Sequence, residues 1–197
     1  MESVERNKHF IQHLTICSYA YENQPSTSEQ GPVVSRIMAN SYLTTLALQY
    51  NSIEDNGAIA LSEALKTNST LAELCLDNNS IGDNGAAALS EALKTNSTLI
   101  TLELRDNSIG DNGAIALSDA LKANSTLTTL NLNTNWIGPD GAHALSEALK
   151  TNMTLATLNL GQNSLAASGI DVLSEVQKTN STVTIVGTLI QRMLVPY

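Results

Sequence analysis

Residues 71–98 read LAELCLDNNSIGDNGAAALSEALKTNST, and this stretch contains every feature that decides the fold. The 28 residues that follow, 99–126, read LITLELRDNSIGDNGAIALSDALKANST. A fixed period of this size indicates stacked supersecondary units, each of which buries its apolar face against its neighbours. Five such blocks follow one another without insertion or deletion: 43–70, 71–98, 99–126, 127–154 and 155–182.

Each block combines a strand pattern with a helix pattern. In the second block, Leu74 and Leu76 are two residues apart, which is the period of a short β-strand. Leu89, Ala92 and Leu93 lie at helical spacing and form one apolar stripe. Each block is therefore predicted to run strand, turn, helix, turn, so that equivalent strands stack into one parallel sheet with the helices outside it.

Polar residues mark the predicted helix ends. Asp83 stands where an N-cap is expected, and Asn96 follows the helix where a left-handed C-cap residue is favoured. Glu91 and Lys94 are three residues apart, so they are expected to pair on the outer face of the helix. These signals place one helix in the second half of each block.

The consensus LxxLxLxxNxIxxxGAxALxxAL resembles the leucine-rich repeats of the ribonuclease-inhibitor type. Repeats of this style are found in NOD-like receptors, in the Ran GTPase-activating protein and in tropomodulin. The resemblance covers residues 43–182 and implies an α/β leucine-rich repeat solenoid, an arc with a parallel β-sheet on the concave face and helices on the convex face. It also implies that the concave face binds another protein, as is common in such arrays.

The N-terminal end of the chain departs from the pattern. Residues 1–42 are predicted to form a cap that contains a degenerate repeat from about residue 14. In that alignment Leu14 lies on Leu43, and Asn23 takes the asparagine position of the repeat. A short helix is expected over 33–39.

The C-terminal end also departs from the repeat. Residues 183–197 are predicted to form a final strand and a C-terminal cap, with Val183 and Val186 in the first two leucine positions. Residues 189–197 leave the pattern and are expected to cover the last exposed edge of the core. Terminal repeats of solenoids need such changes to stay soluble.

One asparagine recurs at the end of every predicted strand. A side-chain amide buried at each turn can bond free backbone groups of its own and of the adjacent repeat. Leaving those groups unpaired would cost roughly 1–3 kcal/mol per site. A structural role is therefore favoured over a functional one for Asn51, Asn79, Asn107, Asn135 and Asn163.

The strand positions between the leucines differ from block to block. Because side chains alternate along a strand, these positions point away from the core onto the concave face. The helix positions of Ser62 and Lys66 are interpreted as exposed too, yet they are identical in all five blocks. This contrast favours variation for binding over mere tolerance of change. The candidate partner-binding residues are Tyr50, Glu73, Cys75, Asp77, Glu103, Arg105, Asp106, Asn131, Asn133 and Trp136.

Two aromatic residues and one cysteine within this set have distinct expected roles. Tyr50 and Trp136 are large aromatics of the kind that anchors interfaces. Trp136 either lies on the rim of the arc or packs on Pro139. Cys75 is either a reactive thiol or, as we favour, an ordinary small side chain.

The charge of the chain narrows the class of partner. The net charge is −9 with only 10 Lys and Arg, which argues against nucleic acid because neutralising phosphates needs clustered cations. Carboxylates outnumber the single Arg105 among the candidates, so a basic protein partner is favoured. The sequence has no long apolar run and its charged start has no apolar segment behind it. Neither a membrane span nor a signal peptide is therefore expected, and a cytoplasmic location is predicted.

No catalytic constellation is found in the sequence. His9 and His13 are four residues apart, but without an HExxH motif or a cysteine pair no metal site is expected. We therefore predict a non-catalytic protein-binding module without a cofactor. Two alternatives stay open. One is a GTPase-activating role resembling the Ran regulator, for which Arg105, Asn131 and Asn133 are superficially suitable; the other is an array that forms part of a larger receptor.

Overall fold

The computed structural model describes residues 12–16, 37–38 and 40–187. In this part of the chain, seven parallel strands form one sheet and follow each other in chain order. The strands are β1 (His13–Thr15), β2 (Thr45–Ala47), β3 (Glu73–Cys75), β4 (Thr101–Glu103), β5 (Thr129–Asn131), β6 (Thr157–Asn159) and β7 (Thr184–Val186).

Five helices connect the strands from β2 to β7 within the described residues. They are α1 (Glu54–Leu65), α2 (Asp83–Leu93), α3 (Asp111–Ala123), α4 (Pro139–Leu149) and α5 (Ala166–Thr179). Each helix packs against the next one along the chain. None of them is long and apolar enough to cross a membrane.

The repeat period of the sequence is the step of the sheet. The central leucines of β2 to β6 pair with one another in register: Leu46, Leu74, Leu102, Leu130 and Leu158. All of these side chains are fully buried in one aliphatic core that continues through the array. The predicted α/β solenoid with a parallel sheet is confirmed.

The asparagine at the end of each strand bonds two repeats together. Asn107 Oδ1 accepts hydrogen bonds from the backbone N–H of Asn79 at 3.1 Å and of Ile81 at 2.9 Å. Its Nδ2 donates to the carbonyl oxygens of Leu76 and Leu104. The same geometry recurs at Asn79, which is 1% exposed. These contacts support the structural interpretation of this column.

A second asparagine column, which follows each helix, makes similar contacts. Asn96 Oδ1 accepts from the backbone N–H of Thr98 and Leu99, and its Nδ2 donates to the carbonyl of Leu65 in the preceding repeat. The predicted left-handed C-cap is wrong, because Asn96 is not among the described residues with positive φ. The equivalent Asn124 has φ −81° and ψ 133°. Its amide, not its backbone conformation, explains why asparagine stands here.

An aspartate near the start of each of α1, α2 and α3 also acts between repeats, which corrects the N-cap prediction. Asp83 is the first residue of α2, whose N-cap is Gly82, and no side chain caps that helix from within. The Asp83 carboxylate instead accepts from the backbone N–H of Gly110 at 2.7 Å and of Gly113 at 2.9 Å, at the start of α3. We call the three aspartates that do this the carboxylate ladder: Asp55, Asp83 and Asp111.

The serine column of the helices is buried, contrary to the interpretation from sequence. Ser62 and Ser90 are 1% exposed, and each hydroxyl donates to a carbonyl of the preceding helical turn. Packing therefore explains the identity of the serines. The lysine column is exposed as expected, and Lys66 pairs with Glu63 at 2.6 Å. Only the lysines remain a valid comparison for the variable strand positions.

The first strand has a different register from the one predicted. Leu14 pairs with Leu46, so it occupies the second leucine position and not the first. The Ile16 backbone N–H donates to the Ala47 carbonyl, which places Ile16 in the third leucine position. The spacing of Leu14 and Ile16 matches Leu46-x-Leu48, which explains this pairing. The alignment of Asn23 and most of the helix expected over 33–39 lie outside the described residues.

The last strand is shifted by one residue. Asn180 accepts from the N–H of Val183, as Asn152 does from Leu155, so Val183 takes the first leucine position as predicted. Ile185 then pairs with Leu158, and the prediction for Val186 is wrong because its side chain is 44% exposed. One residue fewer separates the first two positions in this final repeat.

Candidate functional site

The candidate site lies on the sheet face opposite the helices, which we call the concave face. Residues that alternate with the buried leucines point onto it and stand side by side in rows. One row joins Cys75, Glu103, Asn131 and Asn159 in register across β3 to β6. Seven strands at about 4.8 Å spacing make this face roughly 29 Å long.

The predicted acidic residues and Arg105 gather around β3 and β4. Asp77 Oδ1 accepts a hydrogen bond from the Arg105 backbone N–H at 2.9 Å, and Asp106 Oδ2 accepts one from Asn78 Nδ2 at 2.8 Å. The structure thus brings Asp77, Arg105 and Asp106 together across two repeats. Among the described residues, Arg105 is the only Lys or Arg on this face, because every described lysine lies in a helix or at its end and pairs with an acid there.

Asp77 carries the electrostatic signature of this acidic region. Burial raises its pKa above the ordinary value of 3.8, and the nearby carboxylates of Glu103 and Asp106 raise it further. The hydrogen bond from the Arg105 backbone and the Arg105 charge act in the opposite direction. The anionic form of Asp77 is thus disfavoured mainly by burial and to a smaller extent by the neighbouring carboxylates.

Cys75 is an inert member of the set. Its side chain is 7% exposed, and Sγ lies 3.5 Å from Glu73 Oε1. Burial, followed by the Glu73 charge, raises the pKa of the thiol to about 12. The thiol therefore stays protonated at neutral pH, which favours the small-side-chain interpretation over a reactive thiol.

A left-handed residue ends each strand segment and sets the edge of the concave face. Tyr50, Asn78 and Asp106 have φ values of 61°, 55° and 55°, and Thr134 and Gln162 follow at 54° and 56°. This conformation is costly for residues other than glycine. Backbone bonds to the next repeat accompany it, such as Asp106 N–H to the Asn133 carbonyl at 2.9 Å. The predicted residues Tyr50 and Asp106 are thus held at equivalent places on one edge.

The C-terminal half of the concave face is neutral and lined by amides. Asn131 Oδ1 accepts from the Asn133 backbone N–H at 3.0 Å, and Thr134 Oγ1 donates to Asn133 Oδ1 at 2.7 Å. The Asn133 amide also fills the space beside Gly161, where a Cβ atom would lie 2.5 Å from Nδ2. Both asparagines of the candidate set are therefore oriented by neighbours before any partner binds.

The two aromatic candidates are exposed. Trp136 is 72% exposed and Tyr50 is 51% exposed. The Trp136 backbone N–H donates to the Ile109 carbonyl at 2.8 Å, in the turn before α4. An indole with this exposure is not buried against Pro139, so the structure favours the rim placement.

Sequence reasoning missed two residues on this face. Asn159 pairs with Asn131 and extends the amide row by one strand. Asn78 holds the Asp106 carboxylate through its amide. The column comparison that selected Asn131 contains Asn159 as well, so the pattern could have found it; the Asn78 contact crosses repeats and has no local signal.

No metal centre is formed by His, Cys, Asp and Glu clusters in residues 12–16, 37–38 and 40–187. His143 is exposed on α4. His9 lies outside the described residues, so the pair with His13 is not tested. The described chemistry of the face is thus that of carboxylates, amides, one guanidinium and two aromatic rings.

A leucine-rich repeat family model matches residues 39–62, 67–90, 95–118 and 123–146, with successive starts 28 residues apart. No curated protein sequence matches the chain. A solved structure of the actin-binding site 2 of leiomodin-1 is similar at 21% identity and a TM-score of 0.57, covering 87% of this chain and 98% of that one. A tropomodulin C-terminal domain from Caenorhabditis elegans is similar at 15% identity and a TM-score of 0.63, covering 86% and 99%. At these identities the likeness concerns the fold.

Proposed function

We propose that this chain, an array of leucine-rich repeats consistent with the ribonuclease-inhibitor type, is a non-catalytic module that binds a protein partner through its concave face. The observation that carries the proposal is the contrast along single strands. On β4, Leu102 is buried and repeats in every block, whereas the outward residue Glu103 differs in nearly every block. Variation on an exposed, continuous sheet face, between buried positions that do not vary, is what partner specificity needs.

The charge of that face favours a basic partner. The carboxylates of Glu73, Asp77, Glu103 and Asp106 lie near β3 and β4, where Arg105 is the only Lys or Arg of the face among the described residues. A cationic segment of a partner would reduce the repulsion among these carboxylates and would be steered towards the face. We therefore place the basic contacts of the partner against Glu73, Asp77, Glu103 and Asp106.

The size of the face fits a protein ligand. A run of roughly 29 Å along the strands is enough for a standard interface of about 800 Å² per partner. Exposed aromatic rings near the charged centre, at Tyr50 and Trp136, are suited to anchor such an interface. One similar structure is an actin-binding site, which supports a protein as the partner class, and a cytoplasmic location accords with it.

A pair of charge-matched double variants tests the proposal. Glu73→Gln with Glu103→Gln removes two charges from the concave face, and Glu63→Gln with Glu91→Gln removes two from the helices. Affinity capture with in-cell cross-linking should lose specific protein partners in the first variant and keep them in the second. Loss only in the helix variant, or no loss in either, would move the site away from the concave face.

A GTP hydrolysis assay separates this proposal from the GTPase-activating alternative. With purified small GTPases, the parent chain is expected not to accelerate hydrolysis. Acceleration that disappears in Arg105→Ala would establish the alternative in place of a purely binding role.

A further inference from the structure

Three Asn-Gly steps stand in the first turns of the helices: Asn56-Gly57, Asn84-Gly85 and Asn112-Gly113. All three asparagine residues are exposed. An Asn-Gly step is prone to spontaneous deamidation. The glycine backbone nitrogen attacks the asparagine side-chain amide, and glycine offers little steric hindrance to that attack. The three steps are therefore potential modification sites in one chain.

In two of these steps, the glycine N–H whose nitrogen would have to attack donates a hydrogen bond to the carboxylate ladder. The Gly85 N–H donates to Asp55 Oδ1 at 2.9 Å, and the Gly113 N–H donates to Asp83 Oδ1 at 2.9 Å. The Gly57 N–H has a different acceptor, the Ile53 carbonyl at 3.0 Å. Two steps are thus held by a side chain of the preceding repeat, and one is held only by its own helix.

Close packing explains why glycine stands at residue 85. A Cβ atom on Gly85 would lie 2.7 Å from Ile81 Cγ2 and 2.8 Å from Asp55 Oδ1. Glycine here leaves room for the ladder contact and at the same time creates the Asn-Gly step.

We propose that the carboxylates of Asp55 and Asp83 slow the deamidation of Asn84 and Asn112, and that Asn56, which has no such carboxylate, deamidates fastest of the three. This inference does not depend on the proposed function. It assigns a chemical role to the inter-repeat bonds: they hold the N–H groups of Gly85 and Gly113, whose nitrogens would have to attack.

The reaction needs only water as co-reactant. The Gly85 nitrogen forms a bond to Cγ of Asn84, its proton passes to solvent, and the Cγ–Nδ2 bond breaks to release ammonia. Water then adds to one carbonyl of the cyclic imide and opens it to aspartate or isoaspartate. No group is oxidised or reduced, and each asparagine consumes one water and releases one ammonia.

Peptide mapping by mass spectrometry after incubation of the full chain at neutral pH tests the proposal. In the parent, conversion of Asn56 should precede conversion of Asn84 and Asn112. In Asp55→Ala, Asn84 should convert about tenfold faster than in the parent, which corresponds to a loss of about 1.4 kcal/mol of restraint on the Gly85 N–H. Asn112 should be unchanged in the same molecules, because Asp83 still holds Gly113.

Asp83→Ala and Asp55→Asn complete the design. Asp83→Ala should accelerate Asn112 and leave the Gly85 bond to Asp55 in place, while Asp55→Asn retains an Oδ1 acceptor and should keep Asn84 slow. Equal acceleration of both sites in Asp55→Ala would indicate general unfolding and overturn the proposal. So would equal rates for Asn56 and Asn84 in the parent, which is measured without any substitution.

Discussion

Inward and outward side chains alternate along the same strands of this protein but follow opposite rules. In and just after β4, Leu102 and Leu104 are fully buried, and leucine recurs at both positions in all five blocks. Glu103 and Arg105 alternate with these leucines, and the other blocks carry different residues at both positions. The difference teaches that, along one strand, residues that stabilise the fold alternate with residues that are available for specificity.

A side chain that repeats in every block of this array need not be apolar. Asn107 and Ser118 are polar, but they are 6% and 1% exposed and recur as faithfully as the leucines. The Asn107 amide oxygen accepts from the backbone N–H of Asn79, and the Ser118 hydroxyl donates to the Ile115 carbonyl. A repeated polar residue that is buried in this array is therefore first a packing feature.

The largest expected loss of stability comes from truncating a leucine that points into the core. Leu102→Ala should lower the free energy of unfolding by about 2–5 kcal/mol, as truncation of a buried leucine does. Urea denaturation followed by circular dichroism measures it. Glu103→Ala, the neighbouring outward position, serves as the control and should stay within about 0.5 kcal/mol. A small effect of Leu102→Ala would contradict the strand register.

A smaller loss is expected for the buried amide. Asn107→Ala leaves the N–H groups of Asn79 and Ile81 and the carbonyl of Leu76 without the partner that the amide provides, so it should cost about 1–3 kcal/mol. The matched control is Asn131→Ala, an asparagine of the concave face, which should cost under about 1 kcal/mol. Equal losses from the two variants in thermal and urea unfolding would erase the distinction between inward and outward asparagines.

The smallest effect, with the opposite sign, is expected on the concave face. The folded-state pKa of Asp77 is raised above 3.8, so folding favours its protonated form. That contribution is complete below the ordinary pKa and is lost as the pH rises through the folded value. Asp77→Asn should therefore stabilise the protein at neutral pH, by less than about 1 kcal/mol for a half-exposed group.

The pH dependence distinguishes this gain from a packing change. The stability difference between Asp77→Asn and the parent should vanish below pH 3.8, where Asp77 is protonated in both states. Asp119→Asn, which removes an exposed helix carboxylate paired with Lys122, should show no gain. A difference that persists in acid would mean that the charge of Asp77 is not its cause.

The sequence predicts most of the fold because period and alternation are local signals. Leu74 and Leu76 identify a strand within three residues, and the 28-residue repeat then stacks the strands. Asp83 shows where local signals end: its position suggests a cap on its own helix, whereas its carboxylate bonds the next one. Ser62 misleads for a related reason, since a hydroxyl that bonds its own helix can be buried at little cost.

Registers at the two ends were harder to predict than in the middle. Leu14 and Val186 lie in the first and last strands, each of which pairs with only one other strand of the sheet. The repeat pattern therefore constrains the register of these strands less, and the predicted positions are off by one to three residues. On the concave face, alternation predicts which residues point outward. It does not predict that Asp77 meets the Arg105 backbone or that Asn133 fills the space beside Gly161, because those contacts join different repeats.

The carboxylate ladder also gives the array a direction. Asp55, Asp83 and Asp111 each bond the helix that follows and never the one that precedes, and the position after them in the column is Pro139, which has no carboxylate. A tandem duplication of residues 99–126 would thus meet matching donors and acceptors at both junctions and lengthen the sheet by one strand. The block that contains Pro139 supplies no such carboxylate to the helix after it, α5, so a copy of that block would add a junction without the ladder bond.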